Sequence, residues 1–225
     1  MTSTGSAVAA PPVAETAMTL MVIGKEPVPG RVKTRLCPPL TPQQAAYVAR
    51  AALTDTLRVV ADTPATRRII VLDGRPGPWL ADGIEVVGQH AGSLDARLAG
   101  AFATVDGPAL LVGMDTPQLR PSHLATAAAA LRDGADAVLG PACDGGFWAV
   151  GFRRPAPRVF YGVPMSTEAT GRLLLGRLVA AGYGVAVLPR LCDVDRAEDL
   201  LAVAADAPGT CFALAVEQLQ AEGAL

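Results

Sequence analysis

The sequence predicts an α/β fold in which helices flank a mostly parallel central sheet. Short apolar runs that suit buried strands alternate along the chain with segments whose apolar residues recur at helical spacing. Hydrophobic residues make up 51% of the 225 residues, and alanine, valine, leucine and glycine predominate. This composition is typical of buried parallel strands packed against alanine-rich helices, and it can supply a large core.

The first half of the chain alternates between predicted strands and predicted helices. The strands are residues 20–23, 68–72, 84–87 and 109–112. Thr41, Pro42 and Gln44 mark the start of the first helix, because threonine can cap it, proline suits its first position and glutamine completes a capping box. Ser93 is predicted to cap the second helix, which extends to Phe102.

The second half of the chain continues this alternation. Apolar spacing predicts helices around residues 124–131, 173–179, 198–205 and 211–222, and strands at residues 137–139, 147–152 and 184–188. No repeat or linker divides the pattern, so we expect one domain over residues 18–225. Residues 1–17 are rich in alanine, proline, serine and threonine and lack the features of a secretory signal, so we expect a disordered tail.

The bulk properties argue against several classes of protein. A formal net charge of −2 does not fit a general nucleic-acid binder, which usually carries a strongly basic face. No stretch reaches the roughly 20 apolar residues of a membrane span, so we expect a cytoplasmic protein. With no Cys-x-x-Cys pair and only two histidines, we expect no zinc site, and we expect free thiols in a reducing cytoplasm at all four cysteines: Cys37, Cys143, Cys192 and Cys211.

A loop rich in basic residues follows the first predicted strand. Within residues 24–36 it contains four cations: Lys25, Arg31, Lys33 and Arg35. Arginine forks and lysine charges bind polyphosphates, and Gly30 lets backbone N–H groups approach an anion. The spacing from Gly24 to Gly30 is too long for a Walker A loop, and arginine follows in place of lysine. The alternative interpretation is a solvated basic loop.

Two aspartates lie next to predicted strand ends, where open α/β sheets bind ligands. Asp115 follows the fourth strand and precedes a Thr-Pro dipeptide, a position suited to Mg²⁺ or Mn²⁺, which prefer oxygen ligands. The alternative is a turn-forming aspartate before proline. Asp144 precedes Gly145 and Gly146, which would let a ligand approach the backbone or would only form a hairpin turn.

A second acidic segment precedes the helix at residues 198–205. If the backbone is extended there, Asp193 and Asp195 point to the same side. Two such charges about 4 Å apart repel by roughly 4 kcal/mol at an effective dielectric of 20, and a bound cation would remove that cost. The alternative is that Asp195 only caps the helix, with Glu198 completing a capping box.

Three motifs together resemble a known family. They are Lys25-x-Pro27-x-Pro29-Gly30-x-Val32-Lys33-Thr34-Arg35-Leu36, Gly113-x-Asp115-x-Pro117-x-Leu119 and Gly140-Pro141-Ala142-x-Asp144-Gly145-Gly146-Phe147. Over about residues 20–200 the chain resembles the glycosyltransferase-A-like family once labelled a domain of unknown function, also called radical-SAM/selenodomain-associated transferase 1. That family is similar to the molybdenum-cofactor guanylyltransferase and 2-phospholactate guanylyltransferase groups and, more distantly, to family 2 glycosyltransferases.

The resemblance implies a Rossmann-like GT-A fold and a nucleotide site on the basic loop. By analogy with the guanylyltransferases, it assigns four cations to the nucleotide phosphates: Lys25, Arg31, Lys33 and Arg35. Gln89-x-x-Gly92-x-Leu94-x-x-Arg97-Leu98 also looks like the family. We therefore predict that the nucleotide site further includes Gly30, Thr34, Gln89 and Arg97.

The resemblance also implies a metal site and an acceptor site. It makes Asp115 the metal aspartate, with Asp193 and Asp195 as further ligands of Mg²⁺ or Mn²⁺. We expect three catalytic residues: Lys33, Asp115 and Asp144. The acceptor is expected to bind at Asp144, Gly145 and Gly146. Met165 stands where the family has an aromatic residue, so acceptor specificity is expected to differ.

Three functions fit these residues. The favoured one is nucleotidyl transfer from a nucleoside triphosphate to a small acceptor with release of pyrophosphate, because a triphosphate needs more cations than a sugar nucleotide. The second is glycosyl transfer from a nucleoside-diphosphate sugar, with Asp144 as the base on the acceptor side. The third is a nucleotide-binding module without catalysis. A serine hydrolase is disfavoured, because no Gly-x-Ser-x-Gly motif occurs.

Overall fold

The computed structural model describes residues 18–225, and it contains one seven-stranded sheet. In chain order the strands are β1 Thr19–Lys25, β2 Arg67–Asp73, β3 Glu85–Gly88, β4 Ala109–Gly113, β5 Ala137–Pro141, β6 Phe147–Phe152 and β7 Val185–Val187. Their order across the sheet is β3-β2-β1-β4-β6-β5-β7. Only β6 pairs antiparallel to its neighbours. The predicted mostly parallel, Rossmann-like architecture is therefore confirmed.

Six helices connect or follow these strands in the described residues. They are α1 Pro42–Asp62, α2 Leu94–Phe102, α3 Pro121–Arg132, α4 Thr170–Ala180, α5 Ala197–Asp206 and α6 Cys211–Ala221. Two short 3₁₀ turns, Thr34–Leu36 and Pro157–Val159, were not expected from the sequence. No helix among residues 18–225 is long and apolar enough to cross a membrane. The predicted tail, residues 1–17, lies outside the described residues, and the single domain stays a prediction.

Both faces of the sheet are buried, and this explains why the strands read as uninterrupted apolar runs. In β1, Leu20 and Val22 face a core that α1 and α3 cover, while Met21 faces a second core under α2 and α4. Helices α5 and α6 do not cover the sheet. They pack on the outer side of α1, where Phe212 is fully buried in a third core.

The predicted cap of α1 is confirmed, the predicted cap of α2 is wrong in detail, and the alternative role of Asp195 as a cap is not observed. Thr41 caps α1 and forms the expected box with Gln44. Ser93 occupies the cap position of α2, but its hydroxyl donates to the carboxylate of Asp95 two residues later and leaves the backbone uncapped. Asp199, rather than Asp195, accepts the free backbone N–H groups before α5, at 2.9 and 2.6 Å.

The pairing register brings the ends of three strands to the same edge. Lys25 at the end of β1 pairs with Asp73 at the end of β2, and Ile23 pairs with Gly113 at the end of β4. The chain moves outward in one direction from β1 to β2 and in the other direction after β4. Such a reversal opens a crevice beyond the carboxyl ends of the strands, where ligands bind in this class of sheet.

A buried carboxylate joins the outer helices to the rest of the fold. Asp55 of α1 is 7% exposed, and its two oxygens accept the backbone N–H groups of Cys211 and Phe212 at 2.9 and 2.8 Å. These groups form the first turn of α6, where a helix has free donors and a positive dipole end. Asp55 therefore holds α6 against α1.

Replacing Asp55 is expected to loosen this junction. Asp55→Ala should lower the free energy of unfolding by about 2–3 kcal/mol, because two buried donors lose a charged acceptor. The measurement is urea denaturation, with Asp106→Ala as the control, since Asp106 is exposed in the loop before β4. A loss no larger than that of the control would show that Asp55 does not hold α6.

Candidate active site

A cavity of about 1000 Å³ opens at the carboxyl edge of the sheet. The ends of β1, β4 and β5 and the segment before α5 all contribute to its wall. It brings together most of the residues that the sequence singled out: Lys25, Arg35, Gln89, Arg97, Asp115, Asp144, Gly146, Asp193 and Asp195. Predicted phosphate-binding groups and predicted acidic groups therefore share one crevice.

An ion pair links the basic loop to the end of β4. The Nζ atom of Lys33 lies 2.8 Å from Oδ2 of Asp115. The Lys33 side chain is only 9% exposed, and its backbone is left-handed, with φ of 47°. A non-glycine residue in that conformation is strained and needs support from its surroundings, and the ion pair supplies such support. The other carboxylate oxygen of Asp115 is buried and has no hydrogen-bond partner in the described residues.

The acidic segment before α5 lies next to Asp115. The backbone N–H of Val194 donates to the carbonyl oxygen of Asp115 at 3.1 Å, so Asp193 and Asp195 flank that contact. Arg35 donates to the carboxylate of Asp195 across the pocket. The basic loop therefore contacts both acidic elements, once through Lys33 and once through Arg35.

Asp193 has the most perturbed pKa in the pocket. Burial raises the pKa of this carboxyl to about 6, and the nearby negative charge of Asp144 adds to the rise. Lys33 and the backbone N–H of Asp193 act in the opposite direction. A carboxyl that is costly to ionise and that faces a polar crevice is typical of a ligand or proton-transfer site.

Asp144 lies in the tight turn between β5 and β6. Its Oδ1 accepts the backbone N–H of Gly146 at 2.7 Å. Gly145 has φ of 87°, and a Cβ there would lie 2.1 Å from the carbonyl oxygen of Glu168. The N–H of Gly171 also donates to the carbonyl of Gly145 at 2.9 Å. The glycine pair thus makes room for the segment that leads into α4, and its role in acceptor binding stays a prediction.

The sequence-based expectation of free thiols was wrong for two cysteines. Cys143 and Cys192 form a disulfide, while Cys37 and Cys211 are free. Each bonded cysteine directly precedes a predicted site aspartate, so the bond joins the Asp144 turn to the Asp193 segment. The predicted cytoplasmic location stays a prediction.

On the opposite wall, Gln89 and Arg97 are fixed by backbone contacts. The side-chain amide of Gln89 donates to the carbonyl oxygens of Gly24 and Val71, at 2.6 and 3.1 Å. Arg97 donates from Nε to the carbonyl of Gly92 at 2.8 Å. One of its terminal nitrogens lies 3.6 Å from a carboxylate oxygen of Asp73. The guanidinium is therefore held at the pocket wall by its neighbours.

Four predicted nucleotide-binding residues do not line this cavity: Gly30, Arg31, Lys33 and Thr34. Gly30, Arg31 and Thr34 are exposed, whereas the Lys33 side chain is buried in its ion pair with Asp115. Two further residues that line the cavity were not identified from the sequence. Glu168 and Ser166 lie in the segment before α4, and Ser166 has a left-handed backbone with φ of 58°. Strained backbone of this kind concentrates at ligand sites.

The pocket fits a divalent metal only if a substrate completes the coordination. Among residues 18–225, no three His, Cys, Asp or Glu side chains are grouped so that they could hold an ion. The predicted set of three aspartates is therefore not preassembled, because Lys33 and Arg35 occupy Asp115 and Asp195. Mg²⁺ commonly takes one or two carboxylates together with phosphate oxygens, and the orphaned oxygen of Asp115 would gain a partner from such an ion.

Comparison with known proteins assigns the chain to a family. A family model described as "Uncharacterized protein conserved in bacteria (DUF2064)" matches residues 47–167. This segment covers more than half of the chain and includes Asp115, Asp144 and both glycines after it. The match begins within α1, after the basic loop. No curated protein matches the sequence.

Solved structures share the fold. A candidate nucleotide-diphospho-sugar transferase from Desulfovibrio desulfuricans G20 is 25% identical, with a TM-score of 0.81 over 91% of this chain and 95% of that chain. CMP:2-keto-3-deoxy-manno-octonic acid synthetase, solved with CTP, is 14% identical, with a TM-score of 0.56 over 90% and 100% of the two chains. Rv0371c of Mycobacterium tuberculosis, solved with manganese, is 21% identical, with a TM-score of 0.51 over 84% and 98%.

Removing the disulfide is expected to lower stability. The bond closes a segment of 49 residues, so the double variant Cys143→Ser/Cys192→Ser should lose about 2–4 kcal/mol of unfolding free energy. Denaturation curves with and without dithiothreitol measure the effect. Cys37→Ser is the control and should keep the response to reductant. A parent protein whose denaturation midpoint does not respond to dithiothreitol would contradict the assignment.

Asp193 is expected to make stability depend on pH in the metal-free protein. The pKa of Asp193 is about 6 in the folded protein and near 4 in the unfolded chain. Its contribution to the free energy of unfolding is therefore fully present below pH 4 and is lost as the pH rises through about 6. Because the side chain is partly exposed, Asp193→Asn should raise the free energy of unfolding by only about 1 kcal/mol at pH 7.5 and should leave it unchanged at pH 4. Urea denaturation at the two pH values measures this, with Asp106→Asn as the control. An equal effect of Asp193→Asn at both pH values would refute it.

Proposed function

We propose that this chain, which belongs to the DUF2064 family, is a metal-dependent nucleotidyltransferase that couples a nucleoside triphosphate to a small acceptor and releases pyrophosphate. One observation carries the proposal: cationic side chains and carboxylates face each other across one cavity of about 1000 Å³, a size that accommodates a nucleotide and a second substrate. The relatives with this fold include a synthetase solved with CTP, which is consistent with a nucleotide substrate.

The basic wall is assigned to the polyphosphate. Lys25 and Arg97 border the cavity from the ends of β1 and α2, and Arg35 faces them from the loop. A phosphate chain between these groups would gain charge-assisted hydrogen bonds and would be held in one orientation. Lys33 is assigned a different role from these cations: it neutralises Asp115 while no substrate is present.

The acidic wall is assigned to the metal and the acceptor. Asp115 would hold Mg²⁺ or Mn²⁺, with Asp193 or Asp195 as a second ligand, and the ion when bound would offset charge on the phosphates. A structural relative solved with manganese is consistent with this assignment. The raised pKa of Asp193 also agrees, because a carboxylate that is costly to ionise alone is stabilised by a cation.

The reaction follows from this arrangement. An acceptor oxygen bound near Asp144 attacks the α-phosphorus, and the bond between that phosphorus and the bridging oxygen to the β-phosphorus breaks. Pyrophosphate leaves toward Lys25, Arg35 and Arg97, whose charges stabilise it. Where the acceptor is a hydroxyl, the carboxylate of Asp144 takes its proton, since Asp144 is exposed to the cavity.

A second candidate is glycosyl transfer from a nucleoside-diphosphate sugar. Two observations favour it: the relative with a TM-score of 0.81 is a candidate nucleotide-diphospho-sugar transferase, and Arg31 lies outside the cavity, which lowers the number of cations available to a triphosphate. In this reaction Asp144 would again act as the base. Loss of glycosyl transfer in Asp144→Asn, with sugar-nucleotide binding intact, would favour this candidate.

The test is a turnover assay with both substrate classes. We expect pyrophosphate release from one of a panel of nucleoside triphosphates, in the presence of Mg²⁺ or Mn²⁺ and of phosphorylated or hydroxyl acceptors. Asp115→Asn should lower kcat by about a hundredfold, whereas Asp106→Asn should leave it unchanged. Turnover of a sugar nucleotide together with no turnover of any triphosphate would overturn the nucleotidyl proposal. Ligand binding that is unchanged in Asp115→Ala would favour a module without catalysis.

A further inference from the structure

A second cavity, with a volume of about 440 Å³, borders the segment that follows β1. Lys25 lines the candidate active site, whereas the next two residues line this second cavity. Its wall comes from that segment, from α1 and from the loop after β2: Glu26, Pro27, Arg50, Thr54, Arg75, Gly77, Pro78 and Trp79. None of these residues lines the candidate active site. The volume falls in the range of small-ligand sites.

Two arginines without a carboxylate partner in the described residues give this cavity a positive charge. Arg50 of α1 and Arg75 of the loop after β2 both expose their guanidinium groups. Neither forms an ion pair with any of residues 18–225, although Arg50 lies 5.5 Å from the ring centre of Tyr47. Guanidinium groups are strong and geometrically specific donors to phosphates and carboxylates.

The one carboxylate in the wall is engaged in holding the loop. Oε2 of Glu26 accepts the backbone N–H of Arg75 at 2.9 Å. The Glu26 side chain also lies against Gly74, where an added Cβ would come within 2.4 Å of the Cβ of Glu26. The φ of 124° at Gly74 also favours glycine. This contact fixes the position of Arg75, and it leaves the charge of the two arginines in excess of that of the wall.

Most of the rest of the wall is apolar, and the hydroxyl of Thr54 already donates to the carbonyl oxygen of Arg50. Pro27 and Pro78 offer flat apolar surfaces, and Trp79 is 8% exposed at the cavity. The indole nitrogen of Trp79 lies against Gly77, where a Cβ would come within 2.8 Å of it. The cavity therefore combines two free cations with an apolar surface, and its wall has no free anionic group apart from the second oxygen of Glu26.

We propose that this cavity is a separate binding site for a small organic anion, in which a phosphate or carboxylate group is joined to an apolar group. Arg50 and Arg75 bind the anionic group, and the apolar group packs on Trp79 and the two prolines. The site is independent of the proposed transferase activity, because it shares no side chain with the candidate active site.

The test is titration calorimetry with phenyl phosphate, which carries both features, and with inorganic phosphate for comparison. We expect saturable binding of phenyl phosphate, with weaker binding of inorganic phosphate. The double variant Arg50→Gln/Arg75→Gln should weaken binding of phenyl phosphate by about tenfold or more, because two charge-assisted contacts are lost. Arg132→Gln removes the same charge from the exposed end of α3 and should change the affinity less than about twofold.

A further variant separates this site from the active site. Lys25→Gln/Arg97→Gln removes cations from the candidate active site and should leave phenyl phosphate binding intact. Loss of binding in that variant, with retention in Arg50→Gln/Arg75→Gln, would overturn the proposal. The absence of saturable binding to the parent protein would overturn it too, as would equal affinity for the two probes, because the apolar wall would then contribute nothing. Thermal unfolding midpoints close to that of the parent ensure that each variant is folded.

Discussion

The ion pair between Lys33 and Asp115 is the contact on which the arrangement of the site depends. Asp115 is placed by β4 at the carboxyl edge of the sheet, and Lys33 belongs to a loop that the sheet itself does not constrain. The pair draws this loop over the edge, and the left-handed backbone of Lys33 is the local cost. Arg35 then lies close enough to contact Asp195.

The same constraint explains why three acidic elements remain close together despite their repulsion. The Asp144 turn, Asp115 and the Asp193 segment are held by a disulfide, by a backbone hydrogen bond to Asp115 and by two cations. Even so, burial and neighbouring charge raise the pKa of Asp193 to about 6. A site that stores unfavourable negative charge in this way gains stability from a bound cation, and this links the fold to the proposed metal dependence.

The sequence predicted the fold more completely than the site. Buried parallel strands and helical spacing are local signals, so every strand and all six helices were found, and the strand ends placed Asp115 and Asp144 at one edge. Contacts between distant loops are harder to predict, because no local sequence pattern encodes them. The disulfide, the capping by Asp199 and the outward position of Arg31 depend on how loops meet in space. The cavity beside Trp79 joins three separate segments and had no motif.

In the proposed function, the cations and carboxylates of the cavity converge to bind a metal-bound polyphosphate. A crystal structure with Mn²⁺ and a nucleoside triphosphate, in which the anomalous signal locates the ion, would show whether this binding occurs. The expected result is an anomalous peak beside Asp115, with phosphates in contact with Lys25 and Arg97 in the same cavity. An ion or phosphates bound away from this cavity, with the pair of Lys33 and Asp115 undisturbed, would contradict it.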